Sequence, residues 1–181
     1  MNTIDVRDLL EHPGSSRTVR VAEPVPGLRT ELADVPDDAP LEGELTLESV
    51  LDGIYVHGSV HGRMRLRCAR CLKEFDSAFD VPVAELYARE PGEDDDYALE
   101  TDETLDPEPM VRDAVVLEMP FSPLHAPDCQ GICPVCGGDR NLGECPGHDE
   151  IDPRWSALGS LQLPDLDEGD GPDARLAGSE R

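Results

Sequence analysis

The clearest pattern in the chain is a strict alternation of apolar and polar positions between Gly53 and Cys68. A period of two is typical of an antiparallel strand with one face in the core and one in solvent. One face carries Ile54, Val56, Gly58, Val60, Gly62, Met64, Leu66 and Cys68, and the other carries Tyr55, His57, Ser59, His61, Arg63, Arg65 and Arg67. The run predicts one long strand. Because glycine weakens a strand interior, Gly58 and Gly62 predict a bulge or bend along it.

Two further alternating runs flank this strand, at residues 41–48 and 75–87. Asp52-Gly53 separates the first two runs and is a typical hairpin turn. The three runs therefore predict a β-meander, with the pair Cys68 and Cys71 at its second turn. Residues 17–22 alternate more weakly and predict another strand.

Helical signals are short and few. Residues 4–11 predict one short helix, and Asp106-Pro107 resembles an N-cap followed by proline at the first helical position. The buried face of the helix that begins there is predicted to be Met110, Val111, Ala114, Val115 and Leu117. A third helix is predicted after Asp152-Pro153, on a face formed by Trp155, Leu158 and Leu161.

These elements predict the α+β class: an antiparallel β-meander or barrel-like sheet with a few short helices and zinc-knuckle segments. The acidic run at residues 90–106 predicts a solvated loop. We expect a single domain over residues 1–163, with a C-terminal zinc-binding segment at 125–148. Residues 164–181 are predicted to be a disordered acidic tail.

Composition narrows the function. The 181 residues include 40 acids and 15 lysines and arginines, which gives a net charge of -25. A bare nucleic-acid binder needs a cationic surface, so a basic protein is the more natural partner. The chain has neither an apolar run long enough for a membrane span nor a visible signal peptide, and this predicts a cytoplasmic location.

All six cysteines belong to two C-x2-C pairs or lie beside the second one. The pairs are Cys68/Cys71 and Cys133/Cys136. Two thiolates separated by two residues can turn toward one metal ion, and sulfur-rich sites usually hold structural zinc. In a reducing cytoplasm this is favoured over three disulfides, which an exported protein would allow. With the flanking cysteines and two nearby histidines, eight ligands are predicted: Cys68, Cys71, His125, Cys129, Cys133, Cys136, Cys145 and His148.

Eight ligands suffice for two tetrahedral centres. The preferred partition places residues 133, 136, 145 and 148 in a local site, and joins Cys68 and Cys71 to His125 and Cys129 in a site that connects the sheet to the segment after the helix. One alternative is a single ribbon of the two C-x2-C pairs. Another is a single site formed by Cys129, Cys133, Cys136 and Cys145. Spacing alone leaves these open.

A local basic patch stands out against the acidic background: Arg63, Arg65, Arg67, Arg70 and Lys73. Arginines on one strand face, next to Tyr55 and two histidines, are suited to contact phosphates and stack on bases. The alternative is structural, with the arginines pairing across the hairpin with the acidic strand 42–48 or with the acidic loop.

Four segments together resemble the bacterial YceD family, the large ribosomal RNA subunit accumulation proteins. They are C-x-R-C-L at 68–72, M-P-F-S-P-L at 119–124, G-I-C-P-V-C-G at 131–137 and D-P-R-W at 152–155. The resemblance covers residues 40–162. It implies a role in accumulation or processing of large-subunit ribosomal RNA, with a small basic large-subunit ribosomal protein or the RNA precursor as partner.

The resemblance also bears on two ligands. Members often carry a cysteine where His125 stands, and they usually end the cysteine segment with C-x-C, where this chain has Cys145 followed by His148. The predicted function is a non-enzymatic ribosome-biogenesis factor with structural zinc. An enzyme is disfavoured because closed, sulfur-rich sites lack an open coordination position. The alternative is a zinc-thiolate redox sensor or metal-binding regulatory protein.

Overall fold

Strands dominate the fold in the computed structural model, which describes residues 1–93 and 96–148 and positions 154, 155 and 158. The chain forms two compact units, Met1–Cys145 and Pro146–Arg181, and the fold below is that of the first unit. Its elements are β1 (Ile4–Asp5), α1 (Arg7–Leu10), β2 (Ser16–Pro24), β3 (Ala33–Asp34), β4 (Pro40–Val50), β5 (Gly53–Arg67), β6 (Glu74–Ala88), β7 (Tyr97–Ala98), β8 (Thr104–Leu105), α2 (Glu108–Glu118) and a 3-10 turn (Arg140–Leu142).

The predicted meander is confirmed. Strands β4, β5 and β6 pair antiparallel in sequence order, and Val50 pairs with Gly53 across the predicted turn. The six-stranded sheet runs β2-β4-β5-β6-β7, with β3 paired to β5. The barrel-like expectation is wrong: among the described strands the order does not return on itself, and β2 and β7 end the sheet.

The predicted bulge at the glycines of β5 is also wrong. Pairing continues one-to-one through both glycines, with Gly58 opposite Leu45 and Gly62 opposite Phe79. A Cβ atom on Gly62 would lie 2.8 Å from Leu41 Cδ2 and 2.9 Å from Phe79 Cζ. The glycine therefore makes room for a neighbouring ring, a known way for an aromatic side chain to cover a strand glycine.

The core lies against the apolar face of the meander. It combines Leu41, Leu45 and Leu47 of β4, Ile54, Val56 and Val60 of β5, Val81 and Val83 of β6, and Met110, Val111 and Val115 of α2. The helix begins at Glu108, whose backbone N–H donates to the Asp106 carboxylate at 2.9 Å, so the predicted start is confirmed to within a residue. Leu117 was expected on the buried face, but it is 84% exposed.

Two local predictions hold only in part, because distant strands pair with the segments concerned. Residues 4–11 do not form one helix: Ile4 pairs with Leu105, and only Arg7–Leu10 form α1. The acidic run contains β7 and β8, and the Tyr97 hydroxyl donates to Asp113 of α2 at 2.8 Å. Within the described residues, no helix is long and apolar enough to cross a membrane.

The remaining organisational predictions concern the C-terminal part of the chain. The helix expected around residues 152–161, the domain end at residue 163 and the disordered tail at 164–181 lie largely or wholly outside the described residues. They stay predictions.

Candidate metal centres

The turn between β5 and β6, residues 68–73, is the first knuckle. The backbone N–H of Leu72 donates to the Cys68 carbonyl, and the N–H of Cys68 donates to the Lys73 carbonyl, both at 2.9 Å. Leu72 has a φ of 62°, a conformation that residues with a side chain rarely adopt. The turn begins where the alternation of β5 ends, at the tip of the sheet.

The second knuckle, residues 133–138, repeats the same hydrogen bonds. The N–H of Gly137 donates to the Cys133 carbonyl, and the N–H of Cys133 donates to the Gly138 carbonyl, again at 2.9 Å. Gly137 has a φ of +74° and corresponds to Leu72. The two C-x2-C pairs therefore fold into equivalent turns, as their equal spacing suggests.

Cys68 and Cys71 meet His125 and Cys129 in the first group of ligands. One atom from each of the four lies within 4.8 Å of the others. The Cys68 and Cys129 sulfurs are 3.8 Å apart, and the Cys71 sulfur is 3.3 Å from His125 Nδ1. Cys68 and Cys129 are buried, whereas the other two are half-buried. The group joins the tip of the sheet to the chain after α2.

The second group contains Cys133, Cys136, Cys145 and His148, again with one ligand atom from each within 4.8 Å of the others. This group is more open than the first, because only Cys133 is buried while Cys136 and His148 are exposed. The structure thus brings the eight predicted residues into the two groups of the preferred partition, and neither alternative grouping is formed. That they bind metal stays a prediction.

Backbone hydrogen bonds join the first knuckle to residues 123–148, the cysteine-rich segment that follows α2. The N–H of Ala69 donates to the Pro123 carbonyl at 2.8 Å, and the N–H of Ile132 donates to the Arg70 carbonyl at 2.9 Å. The Arg70 guanidinium donates to the Cys129 carbonyl at 2.8 Å. This arginine, predicted as a partner contact, is therefore part of the support of the first group.

Side-chain donors approach the sulfurs from outside the ligand sets. Asn141 Nδ2 lies 3.6 Å from the Cys129 sulfur, and an Arg140 nitrogen lies 3.7 Å from the Cys133 sulfur. Such donors stabilise thiolates and orient them. Both were missed from the sequence. The only sequence signal for these two donors was their place between the cysteines. The orientation of their side chains toward the sulfurs depends on the 3-10 turn.

One thiol in each group ionises readily. Burial opposes ionisation of Cys68, but hydrogen bonds, chiefly from His125, lower the pKa of its thiol to about 5. Hydrogen bonds from the backbone of Cys136 and Val135 lower the pKa of Cys133 to about 6. Thiolate and neutral imidazole are the forms that coordinate zinc, and sets of three cysteines and one histidine are typical of structural zinc sites. The residues present fit such an ion in both groups.

The basic patch is only partly available to a partner. Arg65 lies 3.8 Å from Asp34, and Arg67 lies 3.5 Å from Glu74. Neither acid belongs to the strand or loop that was predicted to neutralise them. The pairing of β4 with β5 ends at Glu42 and His61, before the arginines begin.

The remaining polar positions on this face follow the strand register. Arg63 stands opposite Ala78, and the rings of Tyr55 and His57 stack with centroids 5.5 Å apart. Lys73 is exposed in the first knuckle. The basic patch is therefore a surface of mixed charge, in which Arg63 lies opposite an uncharged residue of the neighbouring strand.

The fold and the two groups define a class: a mostly antiparallel β-sheet protein with two cysteine–histidine clusters, the first of them at one end of its meander. The model of the family described as large ribosomal RNA subunit accumulation protein YceD matches residues 56–162. The chain belongs to the YceD family.

Relatives from mycobacteria and from Bacillus also match the chain. The chain is 37% identical over 174 residues to the uncharacterized protein Rv2926c of Mycobacterium tuberculosis, covering 91% of this chain and 83% of that protein. It is 31% identical over 171 residues to the uncharacterized protein ML1660 of Mycobacterium leprae, covering 90% and 78%. Identity to the uncharacterized protein YlbN of Bacillus subtilis is 30% over 108 residues, covering 57% and 63%. No solved structure matches the chain.

Proposed function

We propose that this protein supports the accumulation of large-subunit ribosomal RNA as a non-enzymatic assembly factor with two structural zinc ions. The observation that carries the proposal is the match of the YceD family model to residues 56–162, because the family takes its name from that role. Everything more specific is inferred from the charge distribution and the two cysteine–histidine groups.

The charge distribution favours a basic protein as the direct partner. The net charge is -25, and the arginines most suited to RNA contact have acidic neighbours. RNA binding would have to overcome repulsion from the rest of the surface. A basic large-subunit ribosomal protein would be attracted instead, and shielding it before it meets RNA would promote subunit assembly.

The ligand sets favour a structural role for the metal. Each group supplies four protein ligands, so a tetrahedral zinc ion would keep no open position for a substrate. The zinc would hold the sheet tip and the cysteine-rich segment in place, and no catalytic step is assigned to it.

The test is the amount of mature large-subunit ribosomal RNA in cells that lack the protein. We expect the ratio of large- to small-subunit RNA to fall and unprocessed precursor to rise, and the wild-type chain to restore both. An unchanged ratio under conditions of rapid growth would refute the proposal. Binding of the purified chain to a basic ribosomal protein and to the RNA precursor, measured separately, would show which partner it engages.

One observation favours a second candidate, a redox-responsive metal protein. Cys136 is exposed and Cys145 is half-buried, so a peroxide can reach the second group. Two thiolates would give two electrons to hydrogen peroxide, which takes up two protons from solvent; a disulfide and two water molecules would form, and the metal would be released. Unchanged metal content after mild peroxide treatment would exclude this candidate.

A further inference from the structure

The C-terminal end of α2 exposes large apolar side chains. Leu117 is 84% exposed and Phe121, just past the helix, is 99% exposed. Val116 is 41% exposed beside them. Single exposed apolar residues are ordinary, but neighbours that are this open indicate a contact surface.

Leu117 stands between two cavities. One, of about 360 Å³, is lined by residues 30–32, before β3, and by side chains at and just past the C-terminal end of α2: Val116, Leu117, Met119, Pro120 and Phe121. The other, of about 330 Å³, lies between β6 and α2 and includes Val83 and Tyr97. Leu117 lines both cavities, so they share this apolar side chain.

Acidic side chains border this apolar surface. Glu31 lines the first cavity, and Glu85, Asp113 and Glu118 line the second. None of the residues that line either cavity is a lysine, arginine or histidine. The local charge therefore matches a cationic ligand and opposes an RNA or an anionic membrane.

The contacts of α2 with the core fix the position of this surface. Met110, Val111 and Val115 on the opposite face of α2 are buried in the core. The hydroxyl of Tyr97 donates to Asp113 at 2.8 Å, and Pro120 follows Met119, the C-cap of the helix. A preorganised surface loses little conformational freedom when it binds.

The two cavities and the apolar side chains beside them form one groove, with Leu117 and Phe121 as apolar anchors and the four acids as its border. We infer that this groove binds a cationic polypeptide segment that carries apolar side chains among its lysines and arginines. This inference rests on the proposed function and locates the surface that meets the basic partner. Apolar anchors give such contacts their affinity, and the surrounding charges give them specificity and speed of association.

The experiment uses the full chain and a fluorescent 20-residue amphipathic peptide of lysine and leucine, followed by anisotropy at physiological salt. The double variant Leu117→Ser/Phe121→Ser should bind at least about tenfold more weakly. The matched control is Leu51→Ser, which removes a 96% exposed leucine at the β4–β5 turn and should leave binding unchanged.

A second comparison separates local charge from net charge. The double variant Glu85→Gln/Glu118→Gln should weaken binding more than Glu11→Gln/Glu48→Gln, which neutralises as many acids elsewhere. Equal loss in the two pairs would overturn the inference, because attraction would then depend only on the total charge. So would wild-type affinity in Leu117→Ser/Phe121→Ser, or self-association of the chain through this face in sedimentation.

Failure of the groove and failure of the proposed function can be told apart. Cells that carry only Leu117→Ser/Phe121→Ser should show the same deficit of large-subunit RNA as cells without the protein. If the deletion itself leaves the RNA unchanged while the groove binds the peptide, the function fails and the groove stands. If the deletion lowers the RNA but the variant restores it fully, the groove inference is wrong.

Discussion

Leu72 in the first knuckle and Gly137, the equivalent residue in the second, both adopt a left-handed backbone conformation. A left-handed conformation costs a residue with a Cβ atom about 1–2 kcal/mol, and the greater freedom of glycine in the unfolded chain offsets part of that. We expect Leu72→Gly to raise the free energy of unfolding by about 0.5–1 kcal/mol. Urea unfolding monitored by circular dichroism measures this, and a decrease would mean that the leucine side chain stabilises the turn.

Gly131 marks the contact between the first knuckle and the cysteine-rich segment. Its φ is +74°, and a Cβ atom there would lie 2.9 Å from the Arg70 carbonyl oxygen. Gly143 has a similar φ of +71° with nothing within 4 Å. Gly131→Ala should therefore destabilise the chain by about 1–3 kcal/mol more than Gly143→Ala, because only the first adds a clash. Equal losses in urea unfolding would show that the contact is unimportant.

At the residue scale, spacing favoured the partition into two groups but did not exclude the alternatives, and it did not show what surrounds the ligands. Cys145 and His148 are close in sequence, and Cys68 with Cys71 needed partners from elsewhere, so His125 and Cys129 followed. The approach of Asn141 and Arg140 to the sulfurs depends on the direction of the 3-10 turn, which the spacing of the ligands does not predict. The exposure of Leu117 was missed because helical periodicity does not say how wide the buried face is.

At the scale of elements, the long strands were predictable and the short ones were not. Alternation gave β4, β5 and β6 because each has one face in the core along its whole length. Strands β1, β7 and β8 have two residues each and form only by pairing with distant segments. The local pattern of apolar and polar residues carries no information about such pairing. The glycines of β5 allow close contacts rather than a bulge: the Phe79 ring occupies the space at Gly62, and a Cβ atom on Gly58 would lie 2.0 Å from the Glu44 carbonyl oxygen.

The two metal groups should contribute unequally to stability. The first joins residues 61 positions apart, from Cys68 to Cys129, and both sulfurs are buried. A cross-link that closes a 15-residue loop stabilises by about 3 kcal/mol, and the effect grows with loop length. We expect Cys68→Ser to lower the free energy of unfolding by at least about 1 kcal/mol more than Cys136→Ser, which affects a short, exposed loop.

Urea unfolding of both variants, prepared with equal exposure to zinc, makes that comparison. An equal or larger loss for Cys136→Ser would contradict the idea that the first group is the one that connects the sheet to the later segment.

At the scale of the whole molecule, charge repulsion is the dominant electrostatic effect. The chain carries 40 acids against 15 lysines and arginines. Salt screens the repulsion among the acids as well as the exposed ion pairs, and the excess of acids decides the balance. We expect the melting temperature to rise when sodium chloride is increased from low to physiological concentration. Scanning calorimetry measures it, and a fall would show that ion pairs matter more than repulsion.

The central structural claim is that eight ligands form two separate zinc centres. The most direct measurement is the zinc content per chain by elemental analysis. We expect two zinc ions in the wild type, one in Cys136→Ser/Cys145→Ser, and a decrease toward one in His148→Ala. A wild type with a single zinc ion, lost completely in the double cysteine variant and retained in His148→Ala, would contradict it.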